Sequence, residues 1–345
     1  MIWVKNSAPE SSYEVKFSTL NEALALVEKN DVIITDTNLV ACYPEILQSA
    51  GKTVVIPAGE ASKSFANYEV VVDQVVSRGL RRNGAVFGIG GGVVGDLAGF
   101  VAATVHRGVN FVQVPTSLLA MVDSSVGGKV GIDLPQGKNL LGAFKNPQSV
   151  QVAIGTLATL PKEQFTNGMA EVIKYGWIWD IELLNQLKAR RLSVESDDLA
   201  SVIQRCIEIK RDVVEADFEE RSGVRAILNY GHTVGHALEA LDGYQDLLHG
   251  QAIAIGMVAE TAIAQSLGLS DLEPSAVAEV FEQYELPICP KNQVDLDQLI
   301  DCMMGDKKNI GQGLSMSLVK VPGECKLEHG IDPIRVKEIL ADLWN

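Results

Sequence analysis

The sequence has few basic residues: 29 Lys and Arg stand against 44 Asp and Glu in 345 residues, which gives a formal net charge of −15. Binding to nucleic-acid phosphates requires a basic surface, so this charge argues against a general nucleic-acid-binding protein. A small anionic ligand is still compatible with the charge where basic side chains cluster locally.

Cysteine is also scarce, and none of the five cysteines lies in a CxxC motif. An odd number in a chain of this length is typical of reduced thiols, so we expect a cytoplasmic protein. The cysteines are Cys42, Cys206, Cys289, Cys302 and Cys325.

Long apolar runs are missing too. Even the stretch AIAIGMVAETAIA contains Glu260, and no run approaches the roughly 18 uncharged residues that a membrane-spanning helix needs. The N-terminal segment MIWVKNSAPESSYEVKF has charged and polar residues where a signal peptide has an apolar core. We therefore expect neither a membrane span nor secretion.

What the sequence does contain is the composition of a globular protein, with 47% hydrophobic and 21% charged residues. Its length favours two domains. In the first half, short β-branched runs such as VIITD (32–36) and AVFGIG (85–90) alternate with amphipathic stretches, which is typical of buried parallel strands between helices. A hairpin is expected where KVGIDL and KNLLGAF flank the turn residues 135–137.

Beyond residues 156–161 the hydrophobic pattern changes to a period of 3.6, as in NGMAEVIKYGWIWDIELLNQLKAR, DDLASVIQRCIEIKRDVVEAD and GQAIAIGMVAETAIAQSLG. The Ser- and Asp-rich residues 193–198 indicate a loop between helices. We predict an α/β domain over residues 1–157 and a mainly α-helical domain over residues 158–345.

A glycine-rich turn, GGGVVG, lies between an apolar strand and an apolar helix, with Gly90, Gly92 and Gly95 in a GxGxxG frame. Such a turn lets backbone N–H groups approach a pyrophosphate, although a tight strand-to-helix turn is the alternative. The next strand ends in VPTSLL rather than in an acid. Asp36 ends VIITD instead, so the tripeptide Asp36, Thr37 and Asn38 is the candidate ribose-contacting edge.

Between residues 97 and 170 the charge balance becomes locally basic. Three of the five bases there, Arg107, Lys129 and Lys138, occur in the glycine-rich or turn contexts HRG, GGK and QGKN. Binding residues are often carried by loops, so these bases favour a phosphate or carboxylate ligand over solvated surface lysines.

Three of the five histidines fall within 18 residues. His232 and His236 are four residues apart, which places them on one face of a helix, where they can chelate a metal or combine a ligand with an acid–base group. His249 follows closely, and Glu171 is the natural carboxylate ligand, with Lys174 one turn away. The cluster predicts a catalytic metal site.

These motifs, taken together, resemble the 3-dehydroquinate synthase family over nearly the whole chain. The similarity is carried by PAGEASK, GGGVVGDLAGF, HRG, QVPTSLLAMVDSSVGGKVGID, GKNLLGAF, LPKEQFTNGMAEVIKYG, ILNYGHTVGHALEA, HGQA and GDKKN, in the family's order. The resemblance implies an α/β nucleotide-binding N-terminal domain and a mainly α-helical metal-binding C-terminal domain. It also implies a homodimer that uses NAD and Zn²⁺, or Co²⁺, and acts on a small anionic sugar phosphate.

The resemblance further implies roles for individual residues. Metal ligands fall on Glu171, His232 and His249, and catalytic groups on His236, Lys129, Lys174 and Glu220. NAD-binding positions fall on Asp36, Asn38, Glu60, Lys63, Gly91, Gly92, Val93, Asp96, Thr116, Ser117, Lys138, Thr156 and Thr159. Substrate-binding positions fall on Arg107, Asp123, Lys129, Asn139, Asn167, Lys174, Lys210, Arg225, Asn229, Lys307 and Lys308.

The sequence departs from the family pattern in two places. HGQA carries Gln251 where the family has a glutamate, a change beside a metal histidine that we expect to tune metal affinity modestly. The stretch ADFEERSGVR is one residue longer than usual, which shifts Glu220 relative to Arg225. The alternatives are another sugar phosphate cyclase, a metal-dependent alcohol or glycerol dehydrogenase, and a non-catalytic protein that keeps the fold.

Overall fold

The structure, a computed structural model, describes residues 2–5, 12–48, 52–217, 223–243, 246–305 and 313–344. The predicted residues Glu220, Lys307 and Lys308 lie outside the described residues. The chain forms two compact units. Unit 1 comprises Met1–Phe165 and Ile203–Glu215, and unit 2 comprises Thr166–Val202 and Ala216–Asn345. The predicted boundary at 157/158 stays a prediction.

Unit 1 is built on a seven-stranded sheet. Its strands are β1 (Ile2–Val4), β2 (Tyr13–Phe17), β3 (Val32–Asp36), β4 (Lys52–Ile56), β5 (Ala85–Gly90), β6 (Asn110–Pro115) and β9 (Ser149–Val152). Their order across the sheet is β1-β2-β9-β6-β5-β3-β4. The β1–β2 pair is antiparallel and all other neighbours are parallel, which confirms the α/β fold predicted for the first half.

Both faces of this sheet are buried. Along β5, which is buried throughout, Val86 packs into a cluster with Val101, whereas the next residue, Phe87, packs into a second cluster with Val112. Successive side chains of a strand point to opposite faces, so an uninterrupted apolar run is what a sheet covered on both sides requires. The covering helices are α1 (Leu20–Leu24), α2 (Thr37–Cys42), α3 (Phe65–Ser77) and α4 (Gly92–Thr104).

The predicted hairpin is present in unit 1. It consists of β7 (Lys129–Leu134) and β8 (Gly137–Phe144), which pair antiparallel. Leu134 pairs with Gly137, so Pro135 and Gln136 form the turn between them.

The second half of the chain is largely helical, as predicted, with a two-stranded sheet in addition. The hairpin strands are β10 (Leu314–Val321) and β11 (Glu324–Ile331). The helices are α5 (Lys162–Ile178), α6 (Ile181–Ala189), α7 (Leu199–Ala216), α8 (His232–Leu241), α9 (His249–Ser266), α10 (Pro274–Gln283), α11 (Leu296–Met304) and α12 (Pro333–Trp344). Among the described residues, no helix is long and apolar enough to cross a membrane.

Helices α8 and α9, which carry the three clustered histidines, pack closely through glycines. A Cβ atom on Gly256 would lie 1.9 Å from the carbonyl oxygen of Gly231, and one on Gly235 would lie 3.1 Å from the carbonyl oxygen of Ala252. Gly231 itself has a φ of +81°, a backbone conformation that favours glycine. The absence of side chains at these positions therefore sets the separation of the two helices.

Candidate active site

The residues predicted to bind a dinucleotide follow the carboxyl ends of the parallel strands in unit 1. Strand β3 has β4 on one side and β5 on the other, so the chain changes direction across the sheet between β3 and β5. Ligands of open α/β sheets bind at such a point. The predicted positions at this edge are Asp36 and Asn38 after β3, Glu60 and Lys63 after β4, Gly91, Gly92, Val93 and Asp96 after β5, Thr116 and Ser117 after β6, and Thr156 and Thr159 after β9.

The glycine-rich turn leads directly into α4. Gly91 precedes the helix and has no side chain to bond the N–H groups of its first turn. A Cβ on Gly91 would lie 3.4 Å from Ser117 Oγ, and one on Gly92 would lie 3.2 Å from Ser124 Oγ. The bare backbone at the start of α4 is thus suited to a phosphate group, because its first N–H groups have no side-chain partner at Gly91.

Several loops at this edge are held together by side-chain hydrogen bonds. Asp36 accepts a hydrogen bond from the backbone N–H of Leu39 at 2.9 Å and so caps α2. Thr156 donates its hydroxyl to the carbonyl oxygen of Thr116 at 3.1 Å, and Thr159 donates to the hydroxyl of Tyr43 at 3.1 Å. These bonds fix the loops after β3, β6 and β9.

A buried lysine joins predicted dinucleotide and substrate positions in unit 1. Lys63 Nζ lies 2.6 Å from Asp96 Oδ2 and 3.8 Å from Glu60 Oε1, and it donates a hydrogen bond to Asn139 Oδ1 at 2.5 Å. Burial alone would lower the pKa of Lys63, but the charges of Asp96 and Glu60 outweigh it and raise that pKa. Burial raises the pKa of Asp96 despite the neighbouring Lys63. Lys138 lies beside Asn139 on β8.

The remaining predicted anion-binding residues of unit 1 differ in burial: one is buried and two are exposed. Lys210 is buried and donates to Asp123 through both the carboxylate, at 2.6 Å, and the backbone carbonyl, at 2.7 Å. Arg107 and Lys129 are exposed, and Arg107 has a left-handed φ of +65° in the turn between α4 and β6. Non-glycine residues in this conformation concentrate at functional sites. Within the described residues, the Arg107 side chain hydrogen-bonds none of the other predicted positions.

In unit 2 the predicted metal ligands converge. His232 Nε2 lies 3.3 Å and His249 Nε2 lies 3.5 Å from the same oxygen, Glu171 Oε1. Ligand atoms about 2.0–2.2 Å from a tetrahedral ion are roughly 3.3–3.6 Å apart, so both separations match the edge of a zinc tetrahedron. Two imidazoles and one carboxylate are also the donor set of many catalytic zinc sites, which leave the fourth position open.

The electrostatics of this cluster favour a cation. Burial alone would raise the pKa of Glu171, but the ammonium of Lys174 and hydrogen bonds from both histidines hold that pKa well below its ordinary value. Burial would lower the pKa of His249, yet hydrogen bonds with Glu171 and Glu239 raise it to about 10. Burial and the charge of Lys174 lower the pKa of His232. The ammonium of Lys174 and the protonated ring of His249 thus offset the negative charge of Glu171, as a bound metal ion would.

The Nδ1 atoms of the two predicted ligand histidines lie close to oxygen acceptors as well. His232 Nδ1 lies 3.1 Å from the carbonyl oxygen of Tyr230, and His249 Nδ1 lies 3.3 Å from Glu239 Oε2. Neutral imidazole carries one proton, so a proton on Nδ1 leaves Nε2 free to bind a metal. Glu239 is not among the residues predicted from the sequence. The feature that could have identified it is its position one helical turn after His236 in the GHALEA motif.

A second possible set of metal ligands includes His236. Its ring lies 5.1 Å from that of His232, and ligand atoms of His236, Glu239 and His249 fall within 4.8 Å of one another. This set uses His249 together with the carboxylate that already binds its Nδ1. The set formed by Glu171, His232 and His249 is therefore the better candidate metal site, and His236, which is exposed, stays a predicted acid–base residue.

Lys174 connects the predicted metal ligands to the turn that carries Arg225 and Asn229. Its ammonium pairs with Glu171 Oε2 and donates to the carbonyl oxygen of Leu228 at 2.7 Å. The neighbouring carbonyl of Ala226 accepts a hydrogen bond from Ser317 at 2.6 Å. The turn 225–229 is therefore anchored at two of its carbonyl groups, and Arg225 is buried at its start.

Two helix termini at the cluster are fixed by buried polar side chains. Asn167 accepts a hydrogen bond from the backbone N–H of Gly250, next to His249. Glu260, fully buried on α9, accepts bonds from the N–H groups of Gly231, Thr233 and Val234 at 2.7–3.1 Å. A carboxylate at a helix N-terminus is stabilising, so Glu260 secures the start of the helix that bears His232. In the sequence, Glu260 is a charged residue within an otherwise apolar helix. A buried charge requires partners, and this feature could have identified Glu260 as a structural anchor.

Gln251 has a local role at the start of α9. Its side-chain oxygen accepts a hydrogen bond from the backbone N–H of Leu248 at 3.1 Å. Glutamine and glutamate both fit this capping position, and the expected effect of Gln251 on metal affinity stays a prediction.

Comparison with known proteins assigns both halves of the chain to one family. The 3-dehydroquinate synthase N-terminal family model matches residues 53–167, and the C-terminal model of the same family matches residues 168–309. The chain belongs to the 3-dehydroquinate synthase family.

Curated relatives in the 3-dehydroquinate synthase family match over most of their length. The chain is 49% identical to 3-dehydroquinate synthase of Pelobacter propionicus over 260 residues, which cover 74% of this chain and 72% of that one. It is 38% identical to the enzyme of the same name from Thermodesulfovibrio yellowstonii over 351 residues, 96% and 98% of the two chains.

Solved structures agree on the fold. A 2-epi-5-epi-valiolone synthase from Streptomyces hygroscopicus, with NAD⁺ and Zn²⁺ bound, has a TM-score of 0.85 at 24% identity over 96% of each chain. A probable glycerol dehydrogenase from Sinorhizobium meliloti has a TM-score of 0.64 at 16% identity, again over 96% of each chain. The fold is thus shared with cyclases and with dehydrogenases.

Proposed function

We propose that this chain is a 3-dehydroquinate synthase, which converts 3-deoxy-D-arabino-heptulosonate 7-phosphate into 3-dehydroquinate and inorganic phosphate. The reaction is a step of the shikimate pathway, which leads to chorismate and the aromatic amino acids. The observation that carries the proposal is the identity of 38 to 49% with curated 3-dehydroquinate synthases. The fold alone does not separate this activity from other cyclases or from alcohol dehydrogenases.

Glu171, His232 and His249 would hold the metal, and the bare backbone at Gly91 and Gly92 would hold the pyrophosphate of NAD. When bound, NAD supplies reversible hydride exchange at C5 of the substrate and the metal supplies Lewis acidity at the C5 hydroxyl group. Since the hydride is taken up and returned in one turnover, the overall reaction is redox-neutral.

The chain's own residues bind the anionic substrate and move protons. Arg107 and Lys129 bind the phosphate group and offset its charge as it leaves C7. Arg225 binds the substrate carboxylate, while Lys174 keeps Glu171 ionised and the 225–229 turn in place. His236 exchanges protons, because an imidazole both donates and accepts near neutral pH. The final aldol closure depends on holding the opened chain in one conformation.

The same proposal extends to the setting of the enzyme. We propose a homodimer, which the family resemblance supports, and a cytoplasmic location, which the five cysteines without disulfides support. Glu220, Lys307 and Lys308 are proposed as further catalytic and substrate-binding residues.

Phosphate release from 3-deoxy-D-arabino-heptulosonate 7-phosphate tests the proposal. The full chain is supplied with Zn²⁺ and a trace of NAD⁺, and the product is identified by mass and by conversion with a dehydroquinase. We expect turnover far above the amount of NAD⁺, lost after chelation and in Glu171→Gln but kept in Glu182→Gln, which alters an exposed carboxylate on α6.

Two outcomes would instead identify the alternatives. Phosphate release from sedoheptulose 7-phosphate, which lacks the carboxylate, without release from the proposed substrate would identify another sugar phosphate cyclase. Reduction of NAD⁺ by an alcohol, one for one, would identify a dehydrogenase.

A further inference from the structure

Asp133, in the hairpin of unit 1, lies beside a break in the pairing of β7 with β8. Ile132 pairs with Leu141, and the next pair is Leu134 with Gly137. Three residues of β8 therefore lie opposite Asp133 alone. Extra residues of this kind form a β-bulge, which turns side chains into new directions and is common beside active sites. The proposed reaction gives Asp133 no role.

The middle residue of this bulge, Asn139, has an unfavourable backbone conformation. Its φ of +55° lies in the left-handed region, which costs free energy in a residue with a side chain, although asparagine enters it more readily than most. A residue keeps such a conformation only where its surroundings hold it. At this position the Asn139 N–H donates a hydrogen bond to Asp133 Oδ1 at 2.7 Å.

A closed set of three hydrogen bonds joins Asp133, Asn139 and Lys63. Besides accepting from Asn139, Asp133 donates its own N–H to the carbonyl oxygen of Lys63 at 2.7 Å. The ammonium of Lys63, which lies 2.6 Å from Asp96 Oδ2, in turn donates to Asn139 Oδ1 at 2.5 Å. Asp133 thus fixes the backbone of Asn139, while Lys63 fixes its side chain.

The contact with Lys63 determines which end of the Asn139 amide is available to a ligand. An ammonium group only donates, so the amide oxygen faces Lys63 and the NH₂ group points away from it. Among the residues that the structure describes, none accepts a hydrogen bond from this NH₂ group, and Asn139 is exposed, so a ligand can reach it. Its N–H donors suit an anionic oxygen of the substrate, for which Asn139 is a predicted binding residue.

We propose that Asp133 is a positioning residue: it holds the backbone of Asn139 in the left-handed conformation, so that the amide NH₂ group of Asn139 is presented to the substrate. This inference rests on the proposed function, because it takes the sugar phosphate as the ligand. Asp133 itself touches neither substrate nor cofactor and acts through Asn139.

Two substitutions separate the position of the acceptor oxygen from its charge. Asp133→Asn keeps an oxygen in the same place without the charge, whereas Asp133→Glu keeps the charge and moves the oxygen by one methylene group. The KM for 3-deoxy-D-arabino-heptulosonate 7-phosphate is measured by phosphate release from the full chain at saturating NAD⁺ and Zn²⁺.

We expect the KM to stay as in the wild type for Asp133→Asn and to rise about three- to ten-fold for Asp133→Glu and Asp133→Ala. The kcat should stay as in the wild type for all three variants, because a contact that only holds the substrate contributes equally before and in the transition state. A raised KM in Asp133→Asn with an unchanged KM in Asp133→Glu would assign the effect to charge and overturn the inference.

A double-mutant cycle tests whether Asp133 acts through Asn139. Asn139→Gly removes the amide but tolerates the left-handed backbone, and its KM should be raised about ten-fold. Asp133→Ala should raise the KM no further when it is added to Asn139→Gly, whereas the effects of independent residues multiply. The control is Asp73→Ala, which removes an exposed carboxylate from α3 and should leave the KM unchanged in both backgrounds.

Cofactor binding gives a readout that a general structural role would move. Asp133 also interacts with the side chain of Glu60, a predicted NAD position. The Kd of NAD⁺, measured by calorimetry on each variant, should nevertheless stay as in the wild type.

Three results would overturn the inference while the proposed function stands: an unchanged KM in Asp133→Glu and Asp133→Ala, equal factors in the two backgrounds of the cycle, or a Kd of NAD⁺ that rises together with the KM. Failure of the wild-type chain to release phosphate from the substrate would overturn both.

Discussion

At the scale of single residues, Glu239 bonds the outer nitrogen of His249, which is a proposed metal ligand. Because its carboxylate accepts the Nδ1 proton of His249, replacing it by a neutral amide should weaken metal binding. We expect Glu239→Gln to raise the Kd for Zn²⁺ about 10- to 100-fold. Competition with a chromogenic chelator measures this constant directly on the full chain.

The control for this substitution is Glu182→Gln, which makes the same chemical change in the exposed first turn of α6. It should leave the Kd for Zn²⁺ as in the wild type. An unchanged constant in Glu239→Gln would mean that the tautomer of His249 is fixed by another group.

Lys63 gives a pH dependence of stability whose sign follows from its raised pKa. Below its ordinary pKa of 10.5 the ammonium is present in both folded and unfolded chains, so its contribution to stability is complete. As the pH rises through 10.5 towards the higher pKa of the folded state, the unfolded chain loses this proton first and stability falls.

The measurement for Lys63 is urea unfolding at pH 9, 10 and 11. The wild-type free energy of unfolding should fall more steeply over this range than that of Lys63→Met, which has no proton to lose. Parallel curves for the two proteins would show that Asp96 and Glu60 do not hold the ammonium in the folded state.

At the scale of helices, the close packing of α8 on α9 predicts the effect of a single methyl group. Gly256→Ala would place a Cβ against the carbonyl oxygen of Gly231, so one helix must shift. We expect a loss of about 1–3 kcal/mol in unfolding free energy, together with weaker Zn²⁺ binding because the histidines separate. Gly155→Ala, whose Cβ would meet nothing within 4 Å, is the control, and equal stability of the two variants would contradict the prediction.

Much of the secondary structure could be predicted from local sequence, because periodicity and turn residues are local properties. Residues 167–190 show where such prediction fails. Their hydrophobic period predicts one continuous helix, but Asp180 caps a new helix by accepting hydrogen bonds from the N–H groups of Glu182 and Leu183. A single capping side chain thus divides into two helices a segment that the hydrophobic period alone predicts as one.

The candidate site was less predictable for a related reason. Spacing placed His232 and His236 on one helical face but left open which of them binds a metal. That distinction depends on Glu171, on a different helix, and on the atoms that face it. Glu239 and Glu260 act through contacts between elements, which no local pattern encodes.

At the scale of the whole molecule, the net charge of −15 predicts a salt effect on stability. Like charges repel one another in the compact state, and dissolved salt screens this repulsion. We expect the Tm at pH 7 to rise by a few degrees between 0.01 and about 0.2 M NaCl. Calorimetry repeated at the acidic pH of zero net charge should show no such rise, and a rise of equal size there would contradict the explanation.

The division of α7 between the units bears on how the protein is made. Ile203–Glu215 belongs to unit 1, although the residues on both sides of it belong to unit 2. The bond between Lys210 and Asp123 spans 87 positions, and the bond from the Lys5 N–H to Glu215 spans 210. A nascent chain on the ribosome therefore cannot complete its N-terminal unit when residue 165 emerges. It must wait about fifty residues longer, a period in which chaperones would meet an unfinished fold.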